Sequence, residues 1–105
     1  MDEQYIKMAN VFKALSDPKR VQILDLLSDG EVCACILLEH FHISQPTLSY
    51  DMKVLIQAGV VKRRREGQRV LYSIDIENLR KTQRLMVKLL CDKSGSPGKA
   101  PGPET

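Results

Sequence analysis

Two thiols separated by a single residue, Cys33-Ala34-Cys35, form the most chemically loaded spacing in the chain. A thiolate pair suits a soft, thiophilic ion. Two sulfurs are too few for a closed structural zinc site, which takes four ligands. As(III) and Sb(III) fit, because they bond strongly to two or three sulfurs. A missing third sulfur can be replaced by water, a small thiol or a methyl group, and monomethylated As(III) needs only two protein sulfurs. Two other sensing chemistries remain open for the pair: thiol oxidation, or Cd(II) or Pb(II) with ligands drawn from elsewhere. As small buried hydrophobes the two cysteines would do neither. Cys91 lies at the end of the last helical stretch and reads first as an apolar residue, second as a third ligand.

A second chemistry lies further along. Between Val60 and Tyr72 stand Lys62, Arg63, Arg64, Arg65 and Arg69 against the single carboxylate Glu66, a local balance of +4. Such a cluster asks for an anionic partner, nucleic acid above all. Just before it, Ser44, Gln45, Thr47, Ser49, Tyr50 and Lys53 fall on the polar side of a helical stretch. Gln pairs bidentately with adenine, Thr touches a thymine methyl or a phosphate, and Lys reaches phosphate or guanine. The free N–H groups at Ser44-Gln45 favour a phosphate as well. Gln68, at the tip of the basic segment, joins this set of expected DNA contacts, with the arginines giving affinity more than sequence choice.

The elements that must position these groups follow from periodicity and punctuation. Tyr5, Met8, Ala9, Phe12 and Leu15 form a helical stripe. Asp17 caps a second helix with Pro18 at its first position, and Asp29-Gly30 ends it. Glu31 to Phe41 reads as a third, short helix, and His42-Ile43 as a turn flanked by His40 and His42, which suit local hydrogen bonding or DNA better than metal. Ser44 caps a fourth helix that runs to Ala58 and stops at Gly59. Two short helices joined by about three residues are a helix-turn-helix, the second helix entering the major groove. Val60 to Arg64 and Val70 to Ile74 then read as strands around a Glu66-Gly67 turn, a basic wing. Asp75 or Asn78 can cap a last helix carrying Ile76, Leu79, Leu85, Met86, Leu89 and Leu90. The expected fold is mostly α with a small β-hairpin, a winged helix-turn-helix over residues 1–92. Residues 93–105, rich in Gly, Pro and Ser, are expected to be a disordered tail.

Composition narrows the classes. A chain of 105 residues has room for one domain, and with 5% aromatics and no Trp its core must be Leu, Ile and Val. No stretch approaches the ~20 apolar residues of a membrane span. The acidic start Met1-Asp2-Glu3-Gln4 lacks the layout of a signal peptide. A cytoplasmic location is therefore expected, where cysteines stay reduced. An enzyme is not expected, since there is no phosphate-cradling glycine loop and no acid–base pair.

The segments FKALSDPKRVQILDLLSDGEVCACILL and ISQPTLSYDMKVLIQAGVVKRRREGQRVLYSID, with the helical ends, resemble the ArsR/SmtB family of metal-responsive repressors over about residues 5 to 91. The resemblance implies a homodimer built from the first and last helices and two recognition helices in successive major grooves. It also implies release from operator DNA when a metal or metalloid binds, with no cofactor required. Half-sites would lie about one helical turn apart, ~34 Å. With about four phosphates neutralised per subunit, log affinity should fall with log salt at a slope of roughly −7. The segment around the thiols resembles the family's arsenic-sensing motif Glu-Leu-Cys-Val-Cys-Asp-Leu, with Val32, Ala34 and Ile36 as departures. A further family cysteine, three residues past the second, is Leu38 here, so two sulfurs carry over. The family's alternative zinc site on the last helix is missing its His. Asp51 stands where the family more often has His, and a carboxylate near phosphates requires a partner such as Lys53 or Arg20.

A mechanism is expected from helix geometry. Residues i and i+2 of an α-helix lie ~200° apart. Two sulfurs at 33 and 35 on one helix could hold one atom only if the start of that helix unwinds, which would disturb the helix bracing the recognition helix.

Overall fold

The computed structural model describes residues 2–91. The expected disordered tail therefore lies outside the described residues. Five helices and a three-stranded antiparallel sheet follow one another as α1 (Glu3–Ala14), α2 (Pro18–Leu27), β1 (Val32–Cys33), α3 (Ala34–Phe41), α4 (Gln45–Gln57), β2 (Val61–Glu66), β3 (Arg69–Ile74) and α5 (Ile76–Leu90).

The helix starts obey the capping signals in the sequence. Asp17 accepts a hydrogen bond from Lys19 N at 2.9 Å with Pro18 just inside the helix, and the Ser44 hydroxyl accepts from Thr47 N at 3.3 Å. Of the two candidates for α5, Asp75 takes the cap, accepting from Asn78 N at 3.2 Å. Asn78 instead ties α5 to the end of α4, through a side-chain amide that donates to Gly59 O at 2.8 Å. Gly59 has φ +79°, and an added Cβ would collide with that amide. His42 ends α3 in a left-handed conformation, φ 53°, which turns the chain toward α4.

Two expectations need correction. The third helix does not begin at Glu31. Glu31 precedes a short strand, and the helix starts only at Ala34. The expected hairpin is the outer part of a three-stranded sheet ordered β1-β3-β2, with Val32 opposite Tyr72 and Cys33 opposite Leu71. The physical reason is pairing: β3 has a free edge, and two extended residues satisfy its backbone groups there. Within the hairpin, Glu66 faces Arg69 across a two-residue loop, Gly67-Gln68. Gly67 supplies the positive φ of 63° that such a tight turn requires at its first position.

Ile23, Leu37, Leu55 and Val60 are fully buried, and Leu27, Leu48, Met52, Val61 and Tyr72 close the core around them. One charge lies inside. Asp51 on α4 is 3% exposed. Arg20 of α2 approaches its Oδ1 at 3.2 Å and also donates to Ala14 O, at 2.7 Å, near the end of α1. Lys19 Nζ stands 2.8 Å from Oδ2, off the hydrogen-bonding direction, as a point charge. The carboxylate thus faces Arg20, one of the two expected partners, and Lys19 takes the place of Lys53. It points into the fold, away from any phosphate.

Removing one member of a buried ion cluster leaves the others unpaired. Asp51→Asn should lower unfolding free energy in urea by about 2–3 kcal/mol, less than for a fully buried cluster, because Lys19 keeps contact with water.

Candidate inducer site and nucleic-acid interface

Cys33 is the residue just outside α3. Its backbone is extended, with φ −73° and ψ 142°, so its side chain folds back over the first turn as a cap. There its Sγ accepts from Cys35 N at 3.3 Å and lies 2.6 Å from Cys35 Sγ. Both sulfurs therefore point at one place while α3 stays intact. The expectation that the helix must unwind to bring them together is overturned. It rested on a ~200° separation that applies only when both residues are helical.

The two thiols differ in environment. Cys33 is buried and Cys35 exposed. Hydrogen bonds from the Cys35 thiol and backbone amide, helped by the nearby Arg69 guanidinium, hold the Cys33 thiol below the usual range. The same shared hydrogen bond and the charge on Cys33 push Cys35 above it. The pair thus releases one proton early and the other late. Cys91 ends α5 in an exposed position. Among the described residues, no third His, Cys, Asp or Glu clusters with the pair.

Strand alternation divides the wing's cations between two faces. Arg63 lies opposite Tyr72 and Arg65 opposite Val70. These line a groove of about 540 Å³ against α4, whose walls also carry Gln45, Ser49 and Lys53. Five of the expected DNA contacts therefore meet in one groove. Ser44 and Thr47 sit at the start of α4 with their hydroxyls 3.0 Å apart, so each already has a partner. Tyr50 is 64% exposed and borders a neighbouring groove with Lys13 and Arg20. Gln68 is at the exposed hairpin tip.

Arg64 and Arg69 occupy the opposite face. Arg64 Nε and Nη2 donate to the two Glu31 carboxylate oxygens at 2.7 and 2.8 Å. Glu66 stands 3.9 Å from both arginines. The Arg64 guanidinium holds the Glu31 carboxyl below the usual carboxylate range, and Glu31 in turn raises Arg64. Reasoning from sequence missed Glu31. The available signal was a lone acid just ahead of a β-branched residue and a thiol, too short to read as a strand.

Comparison with known proteins agrees with this geometry. The family described as "Bacterial regulatory protein, arsR family" matches residues 17–63. An "Arsenical resistance operon repressor" of Staphylococcus xylosus is 51% identical over 75 residues, covering 71% of this chain and 72% of that protein. Among solved structures, HlyU from Vibrio cholerae superposes with a TM-score of 0.70 at 30% identity, over 87% of this chain and 99% of that one. The homodimeric winged helix-turn-helix DNA-binding domain of a possible ArsR-family regulator from Mycobacterium bovis gives a TM-score of 0.67 at 32% identity, over 81% of this chain and 80% of that one.

Two outcomes follow. In a thiolate absorbance titration, the wild-type pair should lose its first proton below the ordinary thiol range. Cys35→Ala removes the donor and should move the Cys33 transition upward, so thiolate forms only at higher pH. In salt titrations of DNA affinity, Arg63→Ala or Arg65→Ala should each flatten the slope by roughly 2 per dimer, at ~0.9 per phosphate. Arg64→Ala, whose charge Glu31 already neutralises, should change it less.

Proposed function

The chain belongs to the arsR family of bacterial regulatory proteins, and from that premise we propose that it is a DNA-binding transcriptional repressor released from its operator by a trivalent arsenical or antimonial held between Cys33 and Cys35. One observation carries the ligand assignment: two sulfurs from different backbone environments converge at 2.6 Å. A dithiolate of this kind meets As(III), Sb(III) or monomethylated As(III) with two protein bonds and leaves the third valence to water, a small thiol or the methyl group.

The DNA contacts are those of the groove between α4 and the wing. Gln45, Ser49, Tyr50 and Lys53 read base edges or neighbouring phosphates, while Arg63 and Arg65 grip the backbone. Ser44 and Thr47 fix the start of α4 at a phosphate. Gln68 at the wing tip reaches further along the duplex, and Arg69 stays beside the thiols. The reading requires two copies. Tyr5, Phe12, Ile76, Leu89 and Leu90 leave apolar surface exposed on α1 and α5, and a second copy would cover it, setting two α4 helices ~34 Å apart. No helix among the described residues is long and apolar enough to cross a membrane, in keeping with a regulator that meets DNA in the cytoplasm.

The test is a gel shift with the duplex immediately upstream of the protein's own coding sequence. The reduced protein should retard it, and arsenite should release it at concentrations that leave the Cys33→Ser/Cys35→Ser double variant bound. Release of the double variant at the same arsenite concentration would remove the assignment.

A further inference from the structure

The segment that carries the thiols is also a strand of the wing's own sheet. Val32 and Cys33 pair with Tyr72 and Leu71 on β3. Glu31, just before them, reaches past β3 to grip Arg64 on β2 with two charge-assisted hydrogen bonds. Both wing strands are therefore fastened to residues 31–33, one through the backbone and the other through a side-chain fork. The recognition helix packs on α3 and β2 through apolar side chains but has a polar tie of its own. Its buried Asp51 is held by Lys19 and Arg20 of α2.

From this division we infer that an inducer captured at the thiol pair is transmitted to DNA through the wing, with Glu31 as the positioning residue that couples the inducer segment to β2. The inference rests on the arsenical reading of Cys33 and Cys35. Capture replaces the thiol–thiol contact by two bonds to one atom, which fixes the separation and direction of both sulfurs. Cys35 lies within the first turn of α3, so the adjustment falls on Cys33, whose backbone lies outside the helix. A backbone shift at Cys33 pulls on Leu71, its partner on β3, and the Glu31 fork carries the displacement to Arg64. The hairpin then turns as a unit, and Arg63 and Arg65 on its other face lose their aim at the phosphates. On the inducer side, Glu66 stands between Arg64 and Arg69 at 3.9 Å from each, a loose extension of the same row of charges.

The experiment uses the full-length reduced dimer, arsenite as the inducer and the duplex that it shifts. DNA affinity is measured across salt concentrations with and without arsenite, for wild type, Glu31→Gln and the charge swap Glu31→Arg with Arg64→Glu. Arsenite binding to each free protein is followed by the near-ultraviolet absorbance of the arsenic–thiolate bond. In wild type, arsenite should flatten the salt slope by about 4, the share of Arg63 and Arg65 from two subunits at ~0.9 each. Glu31→Gln should bind arsenite with unchanged stoichiometry, yet its ratio of affinities without and with arsenite should shrink about tenfold, within the usual range of coupling. The charge swap should restore most of that ratio, which ties the loss to the pairing of positions 31 and 64; a merely structural role would instead lower DNA affinity without arsenite and leave the ratio intact. If arsenite leaves the wild-type slope unchanged, or if Glu31→Gln keeps the full ratio, the wing is not the route, and the arsenical assignment survives. If wild type fails to bind arsenite, both readings fall together.

Discussion

Asp51 holds the only charge buried among the described residues, and the aim of the recognition helix depends on it. A lone carboxylate inside a small Leu/Ile/Val core would be strongly unfavourable. It is sustained because α2 delivers two cations to it, and because one of them, Arg20, is itself anchored to Ala14 O. The cluster thereby fixes α4 against α2 and the end of α1 with directional contacts that apolar packing alone does not supply. The Asn78 amide adds a fourth tie at Gly59 O, at the other end of α4. These polar ties reach α4 from α1, α2 and α5, beside its apolar packing on α3 and β2.

Because Cys33 caps α3 and is not part of it, the sulfurs meet without any cost in helical hydrogen bonds. Preorganisation of this sort favours tight capture, since little ordering remains to be done on binding. The strand pairing that holds Cys33 in this pose is only two residues long.

Much of this was legible in the residue order. Asp17-Pro18 and Ser44-Gln45-Pro46 mark helix starts by hydrogen-bonding chemistry that is local, so α2 and α4 begin where expected. The thiols and the basic wing were legible as chemistry for the same reason. What escaped depends on partners distant in sequence. Strand β1 is too short for any periodicity and exists because β3 offers it an edge. Arg64 is indistinguishable in sequence from Arg63 and Arg65, yet the pleat turns it toward Glu31. The stripe read on α1, Tyr5, Met8, Ala9, Phe12 and Leu15, is offset from the buried face: Met8 is shared, but Val11 and Ala14 complete that face while Tyr5, Ala9 and Phe12 are exposed. Sequence periodicity marks a helix as amphipathic but does not say which of its apolar residues the chain's own core takes.

The tight loop at Gly67-Gln68 has a wider reach than its size suggests. Its two residues set Glu66 opposite Arg69, and with them the whole pairing of β2 with β3. The facing of the arginines on β2 is fixed at the other end of that strand, where Val60 and Val61 are buried in the core. The guanidinium groups therefore look toward the groove or toward the sulfurs by an alternation counted from the core outward. A change at the tip alone would move Arg69 against β2 and leave Arg63 and Arg65 in the groove.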